Sequence, residues 1–189
     1  MSAAVMMGRI QGVSPRFKAR LAGGLYFFTL LTAQLLETLL GGKAALAAGL
    51  IEITGMALVT LVLYEVFRPV ERTLSLLAAA FNFVGITLEA MRLSAHGSGI
   101  GLVFHGFFCI LIGYLIFKST FLPRTLAALM AIGSLGWMTF LFPPLASYLS
   151  PWNLVCGLAG EASVFGWLVV MGVNVQRWEE QASAAPIRE

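Results

Sequence analysis

Several residues able to move a proton or hold a cation stand inside long apolar runs of this chain: Glu52, Asn82, Glu89, Arg92, His105 and Glu161, with Glu37 near the end of the first run. An ionisable side chain at the centre of a membrane span costs about 2.5–3.5 kcal/mol on insertion scales, so its presence is a functional hypothesis by default. The depths are not random. Glu52, His105 and Glu161 fall about six to eight residues from one end of their runs, or roughly 9–12 Å at 1.5 Å per residue. Glu89 and Arg92 close the third run at that same end, followed by His96.

Charge decides what chemistry such a group can do. Glu37, Glu52, Glu89 and Glu161 offer four negative charges against the single intramembrane cation Arg92. Buried carboxylates with so little positive company must carry protons or recruit a cation. Three kinds of site meet that description. One is a proton relay. Another is a divalent-metal site, with Glu52, Glu89, His105 and Glu161 as candidate ligands. The third is a pocket for a cationic or amphipathic small molecule, lipid or ion. His105 and Cys109, at i and i+4, could supply two metal ligands from one helix face; the rival reading is a hydrogen-bonded core histidine. Glu37 is close enough to the surface to reach headgroups, with Gln34 one turn before it. Glu65, three residues before Arg68, reads as a surface ion pair. No HExxH or comparable local catalytic motif is present.

The elements that must position these residues follow from composition. The chain has 189 residues, 59% hydrophobic and 11% charged, where a soluble domain carries about 25% charged residues. That excludes a soluble enzyme, a nucleic-acid-binding domain and a disordered chain. Six apolar runs cover approximately Leu21–Leu40, Leu46–Phe67, Thr73–Leu93, Gly99–Phe117, Leu122–Phe142 and Asn153–Val175. Each is long enough to span a bilayer, and backbone hydrogen bonding in lipid makes each a helix. The expected fold is an all-α polytopic bundle of six transmembrane helices, residues 21–175, between a basic segment 1–20 and a frayed tail 176–189. Ten Lys and Arg fall on the side of the termini and two, Lys43 and Arg92, on the other, so both termini are expected in the cytoplasm. Pro143 and Pro144 must end the fifth run, leaving Leu145–Ser150 for a short outer lid.

Within the third run, Ser75, Ala78, Asn82, Gly85, Glu89, Arg92 and His96 recur at spacings of three and four, while Leu76, Phe83, Val84, Ile86 and Leu88 occupy other faces. This stripe is expected to face the bundle interior and line a polar pocket, or else to serve as a packing seam with a polar end group. Small residues at Gly133/Gly136 and Ala159/Ser163 are expected to let helices approach closely. Cys109 and Cys156 read as buried apolar residues.

Three stretches together carry a family resemblance. They are Arg68-Pro69-Val70-Glu71-Arg72 leading into Leu74–Ala80, then Gly113-Tyr114-Leu115-Ile116 with Phe121-Leu122-Pro123-Arg124, and Gly160-Glu161 with Gly172-Val173-Asn174. From about Ala19 to Asn174 the chain resembles the bacterial six-helix membrane proteins grouped as domain of unknown function 4386. The resemblance implies six spans in a bacterial inner membrane and transfers no functional residue.

Three classes of function remain. The first is an outward-facing intramembrane pocket that binds, and in a homodimer or larger complex transports, a cationic or amphipathic ligand. The second is an intramembrane acid–base or metal-dependent enzyme acting on a lipid or isoprenoid. The third is a non-catalytic subunit or scaffold. Membrane lipids are partners in all three, and nucleic acid in none.

Overall fold

A computed structural model describes residues 13–40, 45–94 and 99–184, without the side chains of residues 37, 45 and 92–94. In chain order the helices are α1 (Pro15–Leu40), α2 (Ala45–Phe67), α3 (Arg72–Ser94), α4 (Ile100–Lys118), α5 (Arg124–Met138), α6 (Pro143–Leu149), α7 (Trp152–Val170) and α8 (Val175–Ala184). A 3-10 turn, Thr139–Leu141, follows α5. Among the described residues six stretches are long and apolar enough to cross a membrane: α1 to α4, α5 with the 3-10 turn that continues it (Arg124–Leu141), and α7.

The spans pack in sequence order, each against the next, and α7 packs back against α1, so the six close into a ring. Arg20 at the start of α1 donates to the Val170 carbonyl at the end of α7 (2.9 Å), which puts both at one end of the bundle. Leucines and aromatics such as Phe28, Leu31, Leu61, Leu76 and Leu135 are exposed on the outer faces. In lipid that arrangement costs nothing, because the chains around it are equally apolar. The interior holds Phe67, Phe108, Phe165, Met130 and their neighbours.

Two close approaches set the ring's geometry. At the α5–α7 crossing a Cβ on either Gly133 or Gly160 would come within 2.8 Å of the other's Cα. Only two glycines allow that contact. At the α3–α4 crossing Gly85 and Gly101 lie against each other's carbonyls, which brings Glu89 over the first turn of α4. The small-residue expectation therefore holds at Gly133 and at Gly136, which lies against the backbone of Asn153 and Gly157. It fails at Ala159, which is exposed. The seam on α7 is Gly157 and Gly160 instead, one helical face away.

Element ends differ from the sequence reading where local chemistry overrides hydropathy. The first helix begins at Pro15, inside the basic segment, because Ser14 caps it through a side-chain bond to the Phe17 N–H (3.2 Å) and Pro15 suits the first helical position. The last span stops at Val170 rather than Val175. Gly172 takes φ +68° and its N–H returns to the Trp167 carbonyl (3.2 Å), a left-handed helix stop. Asn174 then caps α8 by accepting from the Arg177 N–H (3.1 Å). The tail up to Ala184 is thus a helix and not frayed. It is tied down by Trp178 donating to the Val66 carbonyl (2.8 Å) and by Gln181 accepting from the Thr120 N–H (3.1 Å). The expected short element after the proline pair is α6, held to the neighbouring helices by Asn153, which donates to Thr139 Oγ1 (2.9 Å) and to the Ala146 carbonyl (3.3 Å).

Candidate functional site

The ring encloses a cavity of about 210 Å³ whose lining includes Glu52 from α2, Asn82 and Glu89 from α3, His105 from α4, Trp137 from α5 and Glu161 from α7. Tyr26 and Thr29 of α1 complete the wall, together with apolar side chains such as Ile53, Met56, Ile86 and Leu102. Five of the seven residues singled out in the sequence therefore line one space. For Glu37 and Arg92 the backbone is helical and the side chains lie outside the described residues, as does His96 altogether.

The stripe on α3 explains part of this convergence. Ser75, Ala78 and Asn82 are buried, and Gly85 is pressed against α4, while Leu76 and Val84 face outward. One helical face carries both the packing seam and, farther along, the polar lining, so the two readings of the stripe describe the same surface. Glu52 differs from the others in being exposed, so the cavity opens at that residue.

Glu161 is the hub. It is 3% exposed, and its Oε1 accepts from Trp137 Nε1 (2.6 Å), lies 3.0 Å from His105 Nε2 and 3.8 Å from Cys109 Sγ. Two helices, α4 and α5, thus aim polar groups at one carboxyl on α7. Tyr26 lines the cavity with Glu161 and stacks on Phe165 with centroids 4.0 Å apart. A second chain leaves from the other side of the imidazole: His105 Nδ1 lies 2.8 Å from Asn82 Oδ1, Asn82 Nδ2 donates to Thr60 Oγ1 (2.6 Å), and Thr60 donates to the Met56 carbonyl (2.6 Å). A polar network this well satisfied is the form in which buried polar groups are tolerated in a bundle core.

Of the four candidate metal ligands read from sequence, the structure brings His105 and Glu161 within ligand range of each other and adds Cys109. These three offer ligand atoms all within 4.8 Å of one another. Glu52 and Glu89 line the same cavity and do not belong to that triad.

Sequence reading missed Tyr26, Trp137 and Thr60. A signal existed for the first two: an aromatic with a polar tip inside an apolar span needs a hydrogen-bond partner there. Thr60 gave none, since a threonine bonding the carbonyl four residues back is common in any helix.

The basic end of the bundle carries a separate set of pairs. Glu65 meets Arg68 at 3.3 Å, the pairing expected of it, and also meets Lys18, which is buried, at 3.6 Å. Lys118 meets Glu71 at 2.8 Å.

No solved structure matches the chain. An uncharacterized protein of the archaeon Archaeoglobus fulgidus is 30% identical over 125 residues, covering 60% of this chain and 75% of the relative. That relative is archaeal, so the comparisons do not confine the likeness to bacterial membranes. The family profile described as Domain of unknown function (DUF4386) matches residues 86–172, which takes in the Gly113–Ile116, Phe121–Arg124 and Gly160–Glu161 stretches and leaves Arg68–Arg72 outside. The matched segment runs from the last turns of α3 through the α7 stop at Gly172, and contains His105, Cys109, Trp137 and Glu161. With that profile match, that archaeal relative and its six apolar spans, the chain belongs to the DUF4386 family of membrane-type helical proteins.

Proposed function

We propose that the protein binds a small cation, or the cationic head of an amphiphile, in the cavity within the ring. The observation that carries the reading is the arrival of three carboxylates from three different helices, Glu52, Glu89 and Glu161, on one otherwise largely apolar space. Pockets with apolar walls and a few convergent polar groups are the usual form of a small-molecule site. At about 210 Å³ the space is smaller than the roughly 300–1,000 Å³ of drug-sized pockets. It suits an ammonium-sized group better than a whole lipid. The site lies in the half of the bundle away from the chain ends, because Glu52 and His105 sit near the starts of α2 and α4 and Glu89 near the end of α3. With both termini cytoplasmic, as the Lys and Arg asymmetry supports, the pocket faces outward. Transport would follow from the same site only in an assembly able to open it to the other side.

Thermal unfolding in mild detergent tests the reading with tetramethylammonium, tetraethylammonium and dodecyltrimethylammonium, each beside a neutral molecule of matching shape. A ligand at 100 times its Kd stabilises the folded state by about 2.7 kcal/mol. The cations are expected to raise the midpoint and the neutral molecules to leave it unchanged. Glu52→Gln and Glu89→Gln should lose that response while unfolding as the parent does. If no cation shifts the parent, or both variants respond as it does, the pocket reading is wrong.

A second reading rests on His105 and Glu161 lying 3.0 Å apart at the cavity wall. Such a pair can exchange a proton with a bound substrate, which is the requirement for acid–base chemistry on a lipid-soluble molecule.

A further inference from the structure

We propose that His105, Cys109 and Glu161 bind a divalent transition-metal ion of zinc type at the floor of the cavity. At the far end of the polar chain stands an atom that cannot donate. The Met56 carbonyl only accepts, so the 2.6 Å contact from Thr60 fixes the hydroxyl proton on that side. Thr60 Oγ1 must then accept from Asn82, which presents Nδ2 to it at 2.6 Å. The amide oxygen of Asn82 is thereby turned to His105, and the 2.8 Å contact requires a proton on Nδ1. In the neutral imidazole this leaves Nε2 with a bare lone pair.

That lone pair faces another. Glu161 Oε1 lies 3.0 Å from Nε2 and is already an acceptor toward Trp137 Nε1, which can only donate. Two acceptors at 3.0 Å repel unless a positive centre stands between them. A proton would serve, but it would leave Cys109 as a bystander. The thiol is 3.8 Å from the same oxygen, fully buried, and one helical turn from His105 on the same face of α4. For bonds of about 2.0–2.3 Å, the ligand-to-ligand edges of a tetrahedral zinc site are roughly 3.3–3.6 Å. The observed 3.0 and 3.8 Å fall on either side of that range, and the three ligand atoms as a set lie within 4.8 Å of one another, so an ion must draw them closer on binding.

Orientation of the ligands supports the same ion. Metal-binding histidines almost always donate their other ring N–H to an oxygen, and ligating carboxylates are themselves hydrogen-bonded. Asn82 and Trp137 occupy those two positions. One nitrogen, one sulfur and one carboxylate oxygen suit zinc better than magnesium or calcium, which prefer all-oxygen sets. Three protein ligands leave a fourth position, and since His105 and Glu161 both line the cavity, a water or a ligand in the cavity can reach it. The site shares Glu161 with the ammonium pocket, but the test of that pocket turns on Glu52 and Glu89, residues outside the triad, so the two readings fail separately.

The test is a metal titration of the full chain, purified in mild detergent and stripped with chelator. Cobalt(II) is expected to bind at one ion per chain and to give the thiolate-to-cobalt charge-transfer absorption of a cysteine ligand, with zinc displacing it. Cys109→Ser should abolish that absorption and weaken zinc binding, and Cys156→Ser should change neither. Asn82→Ala, which frees the imidazole without removing a ligand, should weaken zinc about 10–100-fold. Because Cys109→Ser is nearly isosteric, it reports on the site even where His105→Ala or Glu161→Gln fails to fold. Folded parent protein that binds no cobalt or zinc would overturn the proposal and leave a proton between His105 and Glu161. Binding that survives Cys109→Ser with its spectrum unchanged would overturn it equally, by placing the metal elsewhere.

Discussion

Replacing Trp137 with Phe isolates one spoke of the Glu161 hub. The substitution keeps an aromatic ring in a position that is 6% exposed and deletes the donor 2.6 Å from Oε1. Two losses are expected. The smaller ring leaves a void of roughly 40 Å³, worth about 1 kcal/mol at ~24 cal/mol per Å³. The hydrogen bond between helices adds about 0.6–1.7 kcal/mol, the range measured for such bonds inside membrane bundles. The variant should therefore unfold about 1.5–2.5 kcal/mol more easily, while Trp152→Phe, at a position 73% exposed, should stay within about 0.5 kcal/mol of the parent. A cycle with Glu161→Met separates the terms, because the void is common to both backgrounds and cancels. Equilibrium unfolding in mixed micelles would give the four free energies. A coupling of about 0.6–1.7 kcal/mol is expected. Additivity of the two substitutions within about 0.3 kcal/mol would mean that Trp137 fills space without holding Glu161, and the hub as described would be wrong.

Other consequences are quicker to check. Gly160→Leu forces a branched side chain into the Cα of Gly133, 2.8 Å from where its Cβ would lie, so α5 and α7 must separate. A loss above about 3 kcal/mol, or no folded protein at all, is expected by the same unfolding assay; near-parental stability would contradict the close crossing. Glu65→Gln removes the partner of Arg68, which is exposed, and of Lys18, which is buried. Because it leaves a buried ammonium unpaired, it should cost more than the roughly 0–1 kcal/mol of an exposed pair, and a loss within about 0.5 kcal/mol in the same assay would contradict the pairing of Lys18 with Glu65.

The fold was legible because lipid leaves a chain few options. Runs near 20 residues long with so few charges must be helices, since no water is present to satisfy the backbone. The stripe on the third run was legible for a similar reason, as helical periodicity puts Ser75, Ala78, Asn82, Gly85 and Glu89 on one face whatever surrounds them. Depth along a helix is also a property of numbering, so Glu52, Glu89, His105 and Glu161 could be placed in one half of the bundle from sequence. The ends were less legible. Ser14, Gly172 and Asn174 stop and start helices through single hydrogen bonds and one left-handed residue, against the hydropathy around them.

What the tertiary structure decided is which faces meet. Rotation about a helix axis and the choice of neighbour depend on packing at a few small residues, here Gly133 with Gly160 and Gly85 with Gly101. That packing turns Trp137 and His105 toward a carboxyl on α7. It also makes Cys109, buried in the core as expected, a neighbour of Glu161. Contacts between residues 24 to 139 positions apart leave no periodic trace in one sequence. They arise only when the ring closes and the polar groups have nowhere but one another to go.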